Sequence, residues 1–157
     1  MIAQYDDPQL NKFLDAPRQY GITQNHKHLP EISKICGLDY APVFCPIVAP
    51  YFAGMEVTIT IHAQDINANI DELKKFYAEY YSCGIIKLSG GDDFNEGGFL
   101  SAGAFSGRDD LEISIHGNDE RILLVSRFDN LGKGASGAAI QNMNILLGID
   151  GATGLNV

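Results

Sequence analysis

The hydrophobic positions of this chain fall into two alternating rhythms. Over Met55–His62, Met55, Val57, Ile59 and Ile61 alternate with Glu56, Thr58, Thr60 and His62, the two-residue period of a strand with one buried face. Residues 69–82 change to helical spacing, with Ile70, Leu73, Phe76, Tyr77, Tyr80 and Tyr81 along one side. Asn69 stands where an N-cap belongs, Glu72 follows three residues on, and Gly84 lies just past the end, so both limits of this helix are set locally. Strand spacing returns where Leu111, Ile113 and Ile115 alternate with Glu112, Ser114 and His116, and a second apolar run covers 121–128. Gly117-Asn118-Asp119-Glu120 between the two runs predicts a hairpin.

Toward the ends the signal is more broken. Pro8, Pro17 and Gly21 interrupt the first 25 residues, which predict at most one short helix around 9–15. Further on, Pro30 suits the first helical position, Ile32, Ile35 and Cys36 share a face, and Gly37 can close the end, so a short helix is expected directly after two histidines. A Gly-rich turn at 132–137 leads into a last helix through Ile140, Met143 and Leu147 that stops at Gly148. The order of helix, strand, helix, several strands and helix lacks the βαβ alternation of a parallel sheet. It predicts an α+β fold with a mostly antiparallel sheet and helices on one face. Residues 1–20 read as a lead-in segment and 21–157 as one domain.

Composition narrows the function classes. A chain of 157 residues can bury about two-thirds of the surface it exposes when unfolded, and 45% hydrophobic with 20% charged residues places it outside the disordered class. A net charge of -9, with eleven basic residues scattered among twenty acidic ones, argues against a nucleic-acid partner. No apolar stretch approaches the ~20 residues of a bilayer span. The first residues, Met1 to Asp7, carry no basic or apolar targeting region, and a cytoplasmic location is expected. Cys36, Cys45 and Cys83 are odd in number and widely spaced, which gives neither a disulfide framework nor a Cys-x-x-Cys pair.

Four segments are candidates for chemistry. Gly132-Lys133-Gly134-Ala135-Ser136-Gly137 spells G-x-G-x-x-G, yet the dinucleotide fingerprint needs a further strand carrying an acidic residue about 20 residues on, and the chain stops at Val157. What survives is either a plain turn or a place where backbone N–H groups approach a ligand closely. His26-Lys27-His28, with Glu31 close behind, can be an exposed structural pair, two ligands of a metal lacking a third, or an imidazole acid/base tuned by its neighbours. Ser89 to Gly98 is acidic but departs from Ca²⁺-loop spacing and reads as a solvated loop. Cys45 sits between Phe44 and Pro46, with no source of a low thiolate pKa, and reads as structural.

Together three segments resemble one family. His26-Lys27-His28-Leu29-Pro30-Glu31-Ile32 is similar to the His-basic-His-x-Pro-Glu-Ile motif of N-acetyl-γ-glutamyl-phosphate reductases. Phe44-Cys45-Pro46 followed by Pro50 and Gly54 is similar to the family's segment leading into its first strand, and Asp129 to Asn144 resembles its C-terminal signature almost throughout. The resemblance covers residues 20–157. It implies a C-terminal domain of the glyceraldehyde-3-phosphate-dehydrogenase-like kind that self-associates through its sheet, with a last helix packing on a Rossmann domain. The implied reaction is NADPH-dependent reduction of N-acetyl-γ-glutamyl phosphate to the semialdehyde in arginine biosynthesis, without a metal.

Within that resemblance, His26, His28 and Glu31 are the implied catalytic residues, and Asn130, Gly134 and Ala135 the implied contacts to NADP. Two departures accompany it. Ala53 precedes Gly54 where many members carry Arg, and no Gly-Cys-x-x-Thr nucleophile motif is present. The chain is therefore expected to lack both the nucleophile and the dinucleotide-binding domain, and to be inactive alone; a dimerising module without chemistry is the alternative. Aspartate-semialdehyde dehydrogenase, a sibling family, fits the histidine segment poorly.

Overall fold

A computed structural model describes residues 2–9, 11–81, 84–89 and 97–157; Cys83 and most of the acidic loop expected at 89–98 lie outside these. The chain divides into two units, Met1–Tyr51 and Phe52–Val157.

The first unit holds helix α1 (Ile2–Tyr5), a 3-10 turn at Lys12–Leu14, strand β1 (Arg18–Gln19), helix α2 (His28–Cys36) and strand β2 (Ile47–Val48). The helix expected around 9–15 is only that turn, started by the Asn11 side chain accepting the Phe13 N–H at 3.0 Å; Pro8 and Pro17 on either side leave no room for more. Strands β1 and β2 pair antiparallel, Arg18 opposite Val48 and Gln19 opposite Ile47. Helix α2 ends where expected but begins two residues before Pro30, taking His28 into its first turn. Gly37 closes it in the left-handed region at φ 64°, its N–H donating to the Ser33 carbonyl.

The second unit is built on a four-stranded sheet of β3 (Met55–His62), β4 (Ile86–Leu88), β5 (Leu111–Gly117) and β6 (Arg121–Phe128), ordered β3-β6-β5-β4. All neighbours are antiparallel except β4 and β5. The predicted hairpin joins β5 to β6, closed by the Asn118 N–H donating to the Arg121 carbonyl. Helix α3 (Ile70–Tyr80) has its full capping box, Asn69 and Glu72 exchanging side-chain and backbone hydrogen bonds at 2.9 Å. A π-helical turn at Gly132–Ser136 runs into helix α4 (Gly137–Leu146).

Register separates the sheet into two faces, and burial on them departs from the alternation. Met55, Val57 and Ile59 are exposed, although alternation makes theirs the buried face of β3. The physical reason is coverage: α3 packs on β5, Lys74 and Ala78 facing Leu88, Ile113 and Ile115, while β3 lies at the far edge of the sheet. On the opposite face the polar Glu112 and Ser114 are buried. There the Arg127 guanidinium meets Glu112 Oε1 at 2.7 and 2.8 Å, donates to the Ser101 carbonyl and lies over the buried Phe105 ring. A paired charge makes burial of these groups tolerable. Asp110, also fully buried, is met by Lys87 and Arg108.

Candidate functional site

The histidine segment of the first unit is built from short-range contacts. His26 Nδ1 accepts the His28 backbone N–H at a long 3.3 Å. Since a backbone N–H can only donate, the His26 proton sits on Nε2 when the ring is neutral. His28 Nδ1 lies 3.0 Å from Glu31 Oε2. An ionised carboxylate can only accept, so Nδ1 carries a proton there and the neutral His28 ring has its lone pair on Nε2. The helical turn supplies this geometry, because positions three apart share a face.

Aromatic rings frame the pair. His26 stands 5.1 Å from Phe44 and 5.7 Å from Tyr20 by ring centroids, and 4.9 Å from His28. His26 is half-buried, while His28 and Glu31 are exposed. Sequence reasoning missed Gln24, which no motif flags. Its side-chain amide donates to the Phe44 carbonyl at 2.7 Å and accepts the Phe44 N–H at 2.9 Å.

In the second unit, Asn130, Gly134 and Ala135 lie in the turn before α4. Asn130 is exposed, and its Oδ1 accepts the Gly54 N–H at 2.9 Å, which leaves Nδ2 as its remaining side-chain donor group. The Gly134 N–H donates to the Asp129 carbonyl at 2.8 Å and is not free for a ligand. Two glycines of this turn, Gly132 and Gly137, are required by their own surroundings, and Gly134 is closely packed. A Cβ on Gly132 would stand 2.4 Å from the Arg108 carbonyl oxygen, one on Gly137 2.3 Å from Asp109 Oδ1, and one on Gly134 3.3 Å from Asp129 O and the Phe128 ring. Close packing against the chain itself accounts for G-x-G-x-x-G here.

Asp129, to which sequence reasoning gave no role, organises the turn. Its carboxylate accepts from Gly107 N at 2.6 Å, Leu131 N at 2.7 Å and Gly132 N at 3.2 Å. Burial alone pushes its pKa up, and these three donors outweigh it, holding the carboxyl below the usual carboxylate range. Lys133 is shifted down by burial, opposed by the charge of Asp109, and its Nζ donates to Gln141.

The expected site residues thus form two sets, His26, His28 and Glu31 in one unit and Asn130, Gly134 and Ala135 in the other. Among the described residues no group of three or more His, Cys, Asp or Glu is placed to hold a metal, and no helix is long and apolar enough to cross a membrane. Cys36 and Cys45 are exposed free thiols.

Comparison with known proteins fits these residues into a lineage. The semialdehyde dehydrogenase dimerisation domain matches residues 4–130. The N-acetyl-gamma-glutamyl-phosphate reductase of Sinorhizobium medicae is 33% identical over 153 residues, covering 94% of this chain and 49% of that protein. N-acetyl-gamma-glutamyl-phosphate reductase 2 of a Nostoc species is 35% identical over 144 residues, covering 87% and 45%, and the Burkholderia ambifaria reductase 36% over 138, covering 85% and 44%. The chain spans about half the length of the curated relatives it matches. Aspartate semialdehyde dehydrogenase II from Vibrio cholerae superposes with a TM-score of 0.58 at 18% identity, over 76% of this chain and 35% of that one. At that identity the likeness shows a shared fold. Matched over most of its length, the chain belongs to the semialdehyde dehydrogenase dimerisation-domain family.

Proposed function

We propose that this chain is the C-terminal half of an N-acetyl-γ-glutamyl-phosphate reductase, contributing acid/base groups to the reduction of the acyl phosphate to the semialdehyde in arginine biosynthesis. The observation that carries the reading is the His26–His28–Glu31 cluster, in which two imidazoles present opposite functions. The neutral His28 ring, with Nδ1–H on Glu31, offers Nε2 as a base. His26, its Nδ1 occupied, offers Nε2–H as a donor. A cysteine supplied by the companion half forms an acyl thioester as phosphate leaves; His28 Nε2 takes the thiol proton and His26 Nε2–H steadies the developing oxyanion.

When bound, NADPH supplies the hydride. The residues present fit it in part. The Asn130 Nδ2 donor can meet a carboxamide oxygen, and Ala135 is exposed on the turn that follows, whereas the Gly134 N–H is engaged. Self-association fits the family's dimerisation character and the exposed Met55, Val57 and Ile59 face. We assign a cytoplasmic location on the same biosynthetic reading.

The test mixes this chain with a separately made amino-terminal half of the Sinorhizobium medicae reductase and follows NADPH consumption. Turnover is expected only with both halves present, and His28→Asn should lower it by about a hundredfold or more. Turnover by this chain alone, or a near-normal rate for His28→Asn, would overturn the reading.

A further inference from the structure

Gln24 is the one described residue other than glycine with a positive φ, at 56°. That region is costly for a residue with a side chain, and persists where the surroundings over-determine it. Here they do. The Gln24 N–H donates to the Gly21 carbonyl at 2.9 Å, and the carboxamide pairs with both backbone groups of Phe44, 20 residues away. The pairing imitates one rung of a strand ladder. Its product is the placement of the Phe44 ring at 5.1 Å from His26, which Tyr20 at 5.7 Å and His28 at 4.9 Å also approach. Gly21 is drawn close as well, its Cβ position lying 3.3 Å from the Pro46 side chain and 3.7 Å from the His26 ring.

We propose that Gln24 is a positioning residue: it accepts a strained backbone so that its carboxamide can fix Phe44, and Phe44 in turn fixes the His26 imidazole. The inference rests on the proposed role of His26, since positioning matters only if that ring acts. Gln24 touches neither substrate nor cofactor in this scheme, and its effect travels through the aromatic wall.

Strain and pairing can be separated by substitution. Gln24→Ala removes the carboxamide and leaves the residue strained at positive φ; Gln24→Gly removes the carboxamide and relieves the strain. In NMR spectra of the isolated chain, both variants should shift the His26 ring signals, while those of His62 and His116 stay in place. Gln24→Gly should be the more stable of the two to thermal unfolding. In the assembly of this chain with an amino-terminal half, both should lose turnover equally, by roughly ten- to a hundredfold with KM for NADPH unchanged, the scale of misplaced catalytic groups. His26 signals identical to wild type in both variants would overturn the positioning role, as would turnover that follows stability from Ala to Gly. His26→Asn with full turnover, alongside shifted His26 signals in the Gln24 variants, would instead remove the catalytic reading and leave the placement of the ring standing.

Discussion

The histidine segment and the glycine-rich turn carry candidate chemistry on opposite kinds of support. In the first, the bonds that orient His26 and His28 join residues two and three apart, and the His28 and Glu31 side chains are 48% and 66% exposed. In the second, Asn130 and Asp129 accept from Gly54 and Gly107, far away in sequence, around a buried carboxylate, and Gly132 packs closely on the Arg108 carbonyl. A side chain on a short-range, solvated support can be changed at little cost to folding. One that roots in long-range buried bonds cannot, so the two regions should separate cleanly when stability and chemistry are measured side by side.

The strongest way to test the contrast is Asp129→Ala. Three backbone N–H donors lose their acceptor in a buried place, and stranding donors of this kind should cost about 3 kcal/mol or more in urea unfolding. A loss below about 0.5 kcal/mol, the range of ordinary surface changes, would mean that water reaches the turn and that its support is not buried. The same carboxyl gives a pH signature. Its folded-state pKa is lowered, so its stabilisation is present above the unfolded value near ~4 and is lost as pH falls through the lower folded value. Asp110, lowered by Arg108 and Lys87 against the upward push of burial, acts in the same direction. Acid unfolding of Asp129→Asn should therefore be shallower than wild type below about pH 4.

Next in size is a pair of glycine substitutions. Gly132→Ala drives a Cβ to 2.4 Å from a backbone oxygen, which cannot rotate away, and should cost about 1–3 kcal/mol. Gly37→Ala, at the end of α2, meets no atom within 4 Å and suffers only from its φ of 64°, about 1 kcal/mol. In thermal unfolding, a loss at Gly132 no larger than the conformational loss at Gly37 would show that the Arg108 carbonyl gives way and that the close packing of the turn adds nothing.

The same contrast explains what the sequence disclosed. Helix α2 with Gly37, helix α3 with its Asn69 and Glu72 cap, and the β5–β6 hairpin were all legible, because each is specified by residues a few positions apart. The faces of the sheet were not. Alternation marks Met55, Val57 and Ile59 as one face, but whether it is covered depends on where α3 lies, and Glu112 is buried because Arg127 and Phe105 come to it from elsewhere in the chain. The histidine cluster was visible as a motif, and its Glu31 partner with it, since a helical turn brings position i+3 alongside. Gln24 was invisible, because its value lies in a bond to Phe44 that no periodicity encodes. The glycine turn was visible but its purpose was not: the pattern fitted either a plain turn or an approach to a ligand, and the space beside Gly132 and Gly137 is taken by Arg108 and Asp109.

The smallest expected effect on stability is Glu31→Ala, and for that reason it sharpens the contrast most. The His28–Glu31 pair is exposed and solvent-screened, and its removal should change unfolding free energy by no more than about 0.5 kcal/mol. What changes is the proton. Without the carboxylate nothing holds it on His28 Nδ1, so the neutral ring redistributes toward the Nε2–H form and Nε2 stops being a dependable base. Nitrogen-15 shifts of the His28 ring read this directly, and turnover of the assembled halves should fall while the unfolding curve stays in place. Unchanged ring shifts would show that Glu31 serves only the helix start, where a negative charge is favoured in any case. A shift in tautomer without a shift in stability would place the value of this contact in the chemistry alone, which is what separates the histidine segment from a turn whose every bond also holds the fold.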